Sequence, residues 1–395
     1  MNSKQVHVIG SGPAGLVAAI TLARAGIRAI LNEQNDDVGK RFNGDYQGLD
    51  NWSSPEELPA FLRGLGLDVN FRCSPYYVSH YYGPRLKKTT IDTRRPLFYL
   101  VERGIEEHTL DQGLKRQALA AGVDIRWRDR LKKVPRGPVV VSTGPKPADV
   151  IAKGMVFTTT QPDVSVGLLD DRIAPKGYAY LLVHCGKATF ATCFFRDFKN
   201  ERAYFERAKE SLLTVMEIDI EEPREFGGFG NFYLKETSTK DGRLLYAGED
   251  AGFQDALWGF GLKYAMLSWF LAARSIIDEV SYDRLCDERI RPFMRTSLAN
   301  RWLFERLGNR GYERFIDHIS RRQDPVGWLR RQYRPGWWKP LPFLLAKASY
   351  RSRLVDKQCP HVDCDCVWCR HCRLTDSDKA DRQVALPPTA KVHDG

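Results

Sequence analysis

Nowhere in these 395 residues is there a run of about 18 uncharged apolar residues. The most apolar helical stretch is broken by Lys263 and Arg274, which excludes a membrane-spanning helix and leaves attachment to a membrane surface open. The N-terminus, "MNSKQVHVIGSGPAG", runs straight into a strand pattern, so no cleaved leader is expected. Cysteine is sparse along most of the chain. Four of the nine precede Cys359, and the other five crowd between Cys359 and Cys372, whereas a secreted disulfide framework would spread them out. The expectation is a cytoplasmic protein with one local cysteine site. Internal repeats are absent, and so is any recognised nucleic-acid module, so nucleic acid is not an expected partner.

With 43% hydrophobic and 28% charged residues, the chain has an ordinary globular composition and enough length for two packed domains. The formal charge of +11 is unevenly placed. Tyr282 to Lys357 hold 18 Lys/Arg against 8 Asp/Glu, a net +10. A basic C-terminal third suits an acidic partner: an anionic membrane surface or an acidic electron carrier.

The stretch "KQVHVIGSGPAGLVAAITLARAGIRAILNEQ" is a complete strand-turn-helix-strand unit. Val6, Val8 and Ile9 read as a buried strand, Leu16 to Ala25 as a helix and Ile27 to Leu31 as the second strand. Within "GSGPAG", Gly10 permits the tight turn, Gly12 lets backbone approach a pyrophosphate, and Gly15 lets helix and strand pack closely, with Pro13 and Ala14 between them. Glu33 falls 18 residues after Gly15, where an acid meets a ribose hydroxyl pair. This is a dinucleotide site. The turn alone serves NAD or FAD equally well.

A distant segment decides between them. "GRLLYAGEDAGFQDALWGFG" again runs strand, acid, glycine, helix, some 200 residues downstream. FAD, whose ribityl chain and flavin extend past the first helix, needs such a second contact. Glu249 or Asp250 would accept from ribityl hydroxyls, and the backbone around Gly259 and Gly261, at a helix N-terminus, would face the flavin carbonyl edge.

"GSGPAG" with Glu33, "VVVSTGP" (139–145, including Thr143 and Gly144) and "AGEDAGFQDALWGFG" together resemble the three FAD contacts of the geranylgeranyl reductase family, within the p-hydroxybenzoate hydroxylase fold. "IAPKGYAYLLVHCGKATFATCFF" is similar to that family's strand pair, and the likeness covers roughly residues 4 to 280. The pattern departs in four places: Glu249 stands for the usual aspartate, Asp250 for alanine, Ala256 for proline, and Asn43 lies where some reductases have a cysteine. The resemblance implies an α/β fold: a Rossmann-like FAD-binding domain (1–70, 101–150 and 240–281) and an antiparallel-sheet substrate domain (71–100 and 151–239). A basic helical region (282–355), a cysteine-rich segment (356–375) and a polar tail (376–395) follow.

FAD implies redox chemistry and leaves the substrate open. No second glycine turn stands between a strand and a helix, so electrons would come from NAD(P)H binding transiently or from a small acidic carrier such as ferredoxin. The expected activity is reduction of an apolar, isoprenoid or lipid-like substrate by hydride from reduced flavin. The alternatives are a monooxygenase of an aromatic or lipophilic substrate, or a membrane-docked FAD-binding module without turnover. Arg41 and Arg103 are candidates for pyrophosphate or flavin-loop contacts. Tyr178, Tyr180, His184 and Asp45 are the proton donors within reach, and none is singled out.

Two C-terminal features remain. From Arg330 to Lys357 eight Lys/Arg and one acid are interleaved with Trp337, Trp338, Phe343, Leu344 and Leu345, and prolines break the pattern, which suggests a short wedge on an anionic membrane. "CPHVDCDCVWCRHC" offers Cys359, His361, Cys364, Cys366, Cys369 and Cys372 as ligands. The short spacings and histidines favour zinc as a clasp, with an iron–sulfur cluster as the alternative.

Overall fold

The computed structural model describes residues 5–131, 133–144, 148–232 and 234–350. The cysteine-rich segment and the tail therefore lie outside the described residues. In chain order the strands are Gln5–Ile9 (β1), Arg28–Asn32 (β2), Tyr46–Asp50 (β3), Cys73–Tyr76 (β4), Val78–Tyr82 (β5), Lys88–Asp92 (β6), Phe98–Glu102 (β7) and Asp124–Arg126 (β8). Val139–Val141 (β9), Val150–Thr158 (β10), Val164–Leu168 (β11), Tyr178–His184 (β12), Lys187–Phe194 (β13), Glu221–Gly230 (β14), Thr239–Lys240 (β15) and Leu244–Tyr246 (β16) follow. The helices are Pro13–Arg24 (α1), Leu58–Gly64 (α2), Leu110–Ala120 (α3), Glu201–Val215 (α4), Leu262–Ile277 (α5), Tyr282–Arg289 (α6), Arg291–Ser320 (α7), Pro325–Tyr333 (α8) and Pro340–Tyr350 (α9).

A six-stranded sheet in the order β15-β16-β9-β1-β2-β8 carries the dinucleotide unit, and all its pairings except β15–β16 are parallel. Val6, Val8, Leu31 and Val140 are fully buried against α1 and α5, as strands covered by helices must be. α1 opens with Pro13, whose fixed φ suits the first helical position, and α3 is capped by Thr109, which accepts from the Gln112 amide.

The second sheet runs β14-β10-β13-β12-β11-β5-β6 and is antiparallel except where β11 meets β5. Its strands alternate. Ala179, Leu181, Val183 and Phe190 pack on α4 through Phe205, Ala208 and Leu212. Tyr178, Tyr180 and Leu182 stand on the opposite face and join a second core with Trp52, Trp258, Phe260 and Phe304. A three-stranded sheet, β3-β7-β4, lies between.

The basic C-terminal helices belong to this core. Arg291 and Arg301 are buried; Arg291 pairs with Asp283 at 2.6 Å and Asp287 at 2.9 Å, and Arg301 pairs with Glu305 at 3.1 Å. The helical region breaks at Pro325, Pro335 and Pro340 as expected, with Pro325 and Pro340 each starting the next helix. The break inside α7 is at Gly308, with φ 56°.

Candidate functional site

Three adjacent parallel strands end together. Ile9, Val141 and Tyr246 are in register, so the Gly10–Gly15 turn, the Ser142–Gly144 segment and the Ala247–Gly252 turn leave the same edge side by side. In an open α/β sheet, ligands bind in the crevice at the carboxyl ends of the strands, where the strand order reverses. Here β1 is that point, with β2 on one side and β9 on the other.

The three glycines of the first turn do different work. A side chain on Gly10, held at φ 97°, would collide with the Ser142 carbonyl oxygen, and one on Gly15 would collide with the Gly10 carbonyl oxygen. Around Gly12 a Cβ would find no heavy atom within 4 Å. Gly10 and Gly15 are therefore required by packing, whereas Gly12 faces open space at the N-terminus of α1, where amide groups and the helix dipole attract an anion.

Glu33 is buried beside that turn. Its Oε2 accepts from the Ser11 amide and hydroxyl, each at 2.7 Å, and its Oε1 accepts from the amide and side chain of Asn35, each at 2.8 Å. The carboxylate thus braces the glycine turn against the end of β2, beside the edge where a ribose would lie.

At the far strand end the adjacent acids separate. Asp250 is buried and accepts from the Thr143 hydroxyl at 2.6 Å. Glu249 is half-buried, and its carboxylate has no hydrogen-bond partner among the described residues. Desolvation pushes its carboxyl up to about 7, and Asp250 adds to this; Arg41 and Arg103 pull the other way. An under-solvated acid of this kind calls for donors. Gly248, at φ 60°, donates its amide to Ser268 on α5 at 2.9 Å and so fixes the turn.

Arg41 and Arg103 prove to be very different residues. Arg41 is exposed beside Gly144, donating to the Phe229 carbonyl at 3.4 Å. Arg103 is buried in a bidentate pair with Asp111 at 2.9 and 3.0 Å, donates to Gln47 at 3.0 Å and lies 3.7 Å from the centre of the Phe42 ring. The structure commits the Arg103 guanidinium to the fold.

Gly259 and Gly261 bring the 254–261 segment against the second sheet. Gly259 sits at φ 74°, and Gly261 caps α5. Tyr178 donates its hydroxyl to the Trp258 carbonyl. Gln254 donates to the Gly259 carbonyl at 3.3 Å, and its Oε1 is buried without a partner. Asp255 anchors the segment. It accepts from the Trp258 amide at 2.8 Å, from Tyr333 of α8 at 3.1 Å and from Ser297 of α7, while burial pushes its carboxyl up to about 6.

Of the four proton donors named from sequence, three are engaged. Asp45 accepts from the Asn43 amide at 3.1 Å and from Gln47 at 3.0 Å. His184 is held by Asp163 at 2.6 Å and Ser74 at 2.9 Å, at the hairpin end of β12. Tyr178 is bound to Trp258. Tyr180 Oη has no hydrogen-bond partner among the described residues. Burial pushes both phenols well above their ordinary value, with Cys193 contributing. Next to Tyr178 and Tyr180 on the same face, the register places Cys193 and Ala191, then Ala152 and Gly154, then Gly228 and Phe226. A side chain on Gly154 would collide with the Phe226 ring and Ala191, so the small residues here make room for that ring.

Asp255, Gln254 and Asp111 were not singled out from sequence. Asp255 accepts from the amides of Leu257 and Trp258, a turn habit of aspartate, and Asp111 lies in the first turn of α3, a usual place for an acid.

Comparisons with known proteins agree with this geometry. Residues 8–46 match the NAD(P)-binding Rossmann-like domain family. A thioredoxin reductase of Schizosaccharomyces pombe is 33% identical over 137 residues, covering 32% of this chain and 38% of that protein. The chain spans still less of the length of the other curated relatives it matches. Among solved structures, a geranylgeranyl bacteriochlorophyll reductase-like protein from Thermoplasma acidophilum superposes with a TM-score of 0.64 at 17% identity, covering 91% of this chain and 99% of the other. The flavin-dependent brominase Bmp2 gives 0.60 at 15%, covering 89% and 99%. The chain has the FAD-binding flavoprotein fold, which geranylgeranyl reductase-like proteins and flavin-dependent halogenases share.

Proposed function

We propose that the protein is an FAD-dependent oxidoreductase that reduces an apolar, isoprenoid- or lipid-like substrate. The observation that carries this reading is the open space at Gly12, on the same sheet edge from which the turn bearing the unpartnered Glu249 carboxylate leaves. The residues fit the group. The α1 N-terminus and Arg41 would hold the pyrophosphate, Glu33 the ribose and Glu249 the ribityl hydroxyls, with Gly259 and Gly261 giving backbone access to the flavin edge. FAD, when bound, supplies two-electron redox chemistry.

The chain's own residues do the rest. Tyr178 fixes the height of the Trp258–Gly261 segment against the sheet. The aromatic faces of Tyr178, Tyr180 and Phe226 would offer an apolar surface to a hydrocarbon substrate. Tyr180 holds a proton at Oη, where a reduced double bond would take it up.

Anaerobic titration tests the reading. The chemically reduced holoprotein is mixed with apolar alkenes, and flavin absorbance is followed in the absence of oxygen. Reoxidation coupled to saturation of the alkene supports a reductase. Turnover that requires oxygen, with hydroxylated or halogenated product, would replace it with the chemistry of a monooxygenase or halogenase.

A further inference from the structure

α9 carries an apolar stripe on each of two sides, with Lys347 and Ser349 between them, yet lies at the surface. Pro342, Ala346 and Tyr350 form its buried stripe, against Leu298, Phe195, Phe232 and Ala256. Leu341, Leu344, Leu345 and Ala348, spaced i, i+3, i+4 and i+7, form a second stripe on the opposite side, and that one is exposed. Leu341 is 67% and Leu344 60% accessible, and Trp337, at the turn leading into the helix, is 93% accessible. A helix with both faces apolar belongs in a core or against another apolar phase, and contiguous exposed apolar surface of this kind marks an interaction site.

The charge around it indicates what that phase is. Glu236 lies beside α9 and is paired with Lys347 at 2.9 Å. No Asp or Glu occurs between Asp324 and Asp356, Arg331 and Arg334 are exposed on the approach to Trp337, and the chain continues past Tyr350 with Arg351 and Arg353. Leucine stripe, tryptophan ring and flanking guanidinium groups match the hydrocarbon edge, interface and anionic head groups of a bilayer in turn. A second copy of this chain would bring the same arginines against each other around a two-fold axis. We propose that the Trp337–Leu345 wedge docks the protein on an anionic lipid membrane, with Trp337, Leu341 and Leu344 inserted at the interface and Arg331 and Arg334 above it. The proposal is independent of the flavin site.

The test is co-sedimentation of the full chain with phosphatidylcholine vesicles, with and without phosphatidylglycerol, beside the variants Leu341→Ser/Leu344→Ser and Arg331→Gln/Arg334→Gln. Both variants alter exposed side chains, and unchanged circular dichroism and FAD content verify that each is folded. The wild-type chain should partition onto anionic vesicles and lose binding as salt rises. The leucine variant should bind at least tenfold more weakly at any salt, and the arginine variant should lose its preference for phosphatidylglycerol. Failure of the wild type to sediment would overturn the proposal, as would equal binding by the leucine variant. So would a wild-type dimer that the leucine variant converts to monomer, since that face would then be a contact between copies. Strong amide-exchange protection of 337–345 in lipid-free protein would overturn it too, because the 351–395 segment would then be the cover.

Discussion

Thr143 donates its hydroxyl to Asp250 at 2.6 Å, across the carboxyl ends of two adjacent parallel strands. This contact engages one of the two adjacent acids in the fold and leaves the half-buried Glu249 as the carboxylate open to a ligand. Because Glu249 is held near 7, against an ordinary 4.5, the folded flavin-free protein binds more protons than the unfolded chain between those values. Asp255, raised from 3.8 to about 6, acts in the same direction. Flavin-free protein should therefore lose stability as pH rises from about 4 to 7, and Glu249→Gln should flatten the upper part of that slope. The same variant should weaken FAD binding about tenfold at pH 8, where the carboxylate is the better acceptor. Urea titrations across pH check the first outcome and equilibrium dialysis the second.

Tyr180→Phe should retain FAD and fold normally while turnover falls roughly 10²-fold, the usual loss when a positioned proton donor is removed. Tyr178→Phe should instead alter the flavin spectrum and weaken substrate binding, because it frees the Trp258 carbonyl. Equal turnover by Tyr180→Phe and wild type would remove Tyr180 from the chemistry.

The bidentate Arg103–Asp111 pair is a structural prediction. Lysine cannot reproduce the fork, so Arg103→Lys should cost about 3 kcal/mol of stability measured by urea, with the FAD dissociation constant of the folded fraction nearly unchanged. Normal stability with weakened FAD binding would mean that Arg103 serves the cofactor after all.

Asp255→Ala should leave Ser297, Tyr333 and the Trp258 amide without their acceptor, at a cost of about 3 kcal/mol, and should loosen the 254–261 segment. Asp255→Asn, which keeps the shape and much of the bonding, should cost less. Amide exchange at Trp258 separates loosening of the segment from a general loss of stability.

What could be read from the sequence was whatever is local. The β1–α1–β2 unit is contiguous, so turn, helix and acid are apparent in the sequence alone, although the collision that requires Gly10 is with the distant Ser142 carbonyl. The alternation of "GYAYLLVHCGKATFATCFF" likewise encodes which side of the sheet Tyr178 and Tyr180 occupy. The choice between Glu249 and Asp250 was not legible, because it depends on Thr143, 107 residues away. Nor was the role of Arg103, since a buried and an exposed arginine look alike until Phe42 and Asp111 close around the guanidinium. Asp255 escaped notice for the same reason, as Ser297 and Tyr333 reach it from two later helices. The prolines of the basic region read as interruptions, as they are, and Pro325 and Pro340 also pre-set the first turn of α8 and α9.

The measurement that bears most directly on the central claim is FAD stoichiometry in purified wild-type protein, Gly12→Glu and Gly15→Ala, compared with their thermal unfolding. Gly12 borders open space, so Gly12→Glu should fold with the melting temperature of flavin-free wild type and bind no FAD, since the new carboxylate would occupy the pyrophosphate position. Gly15→Ala should be destabilised outright, because its Cβ would meet the Gly10 carbonyl. Wild type should carry one FAD per chain. A folded wild type with no affinity for FAD, or a Gly12→Glu protein that retains it, would contradict the account.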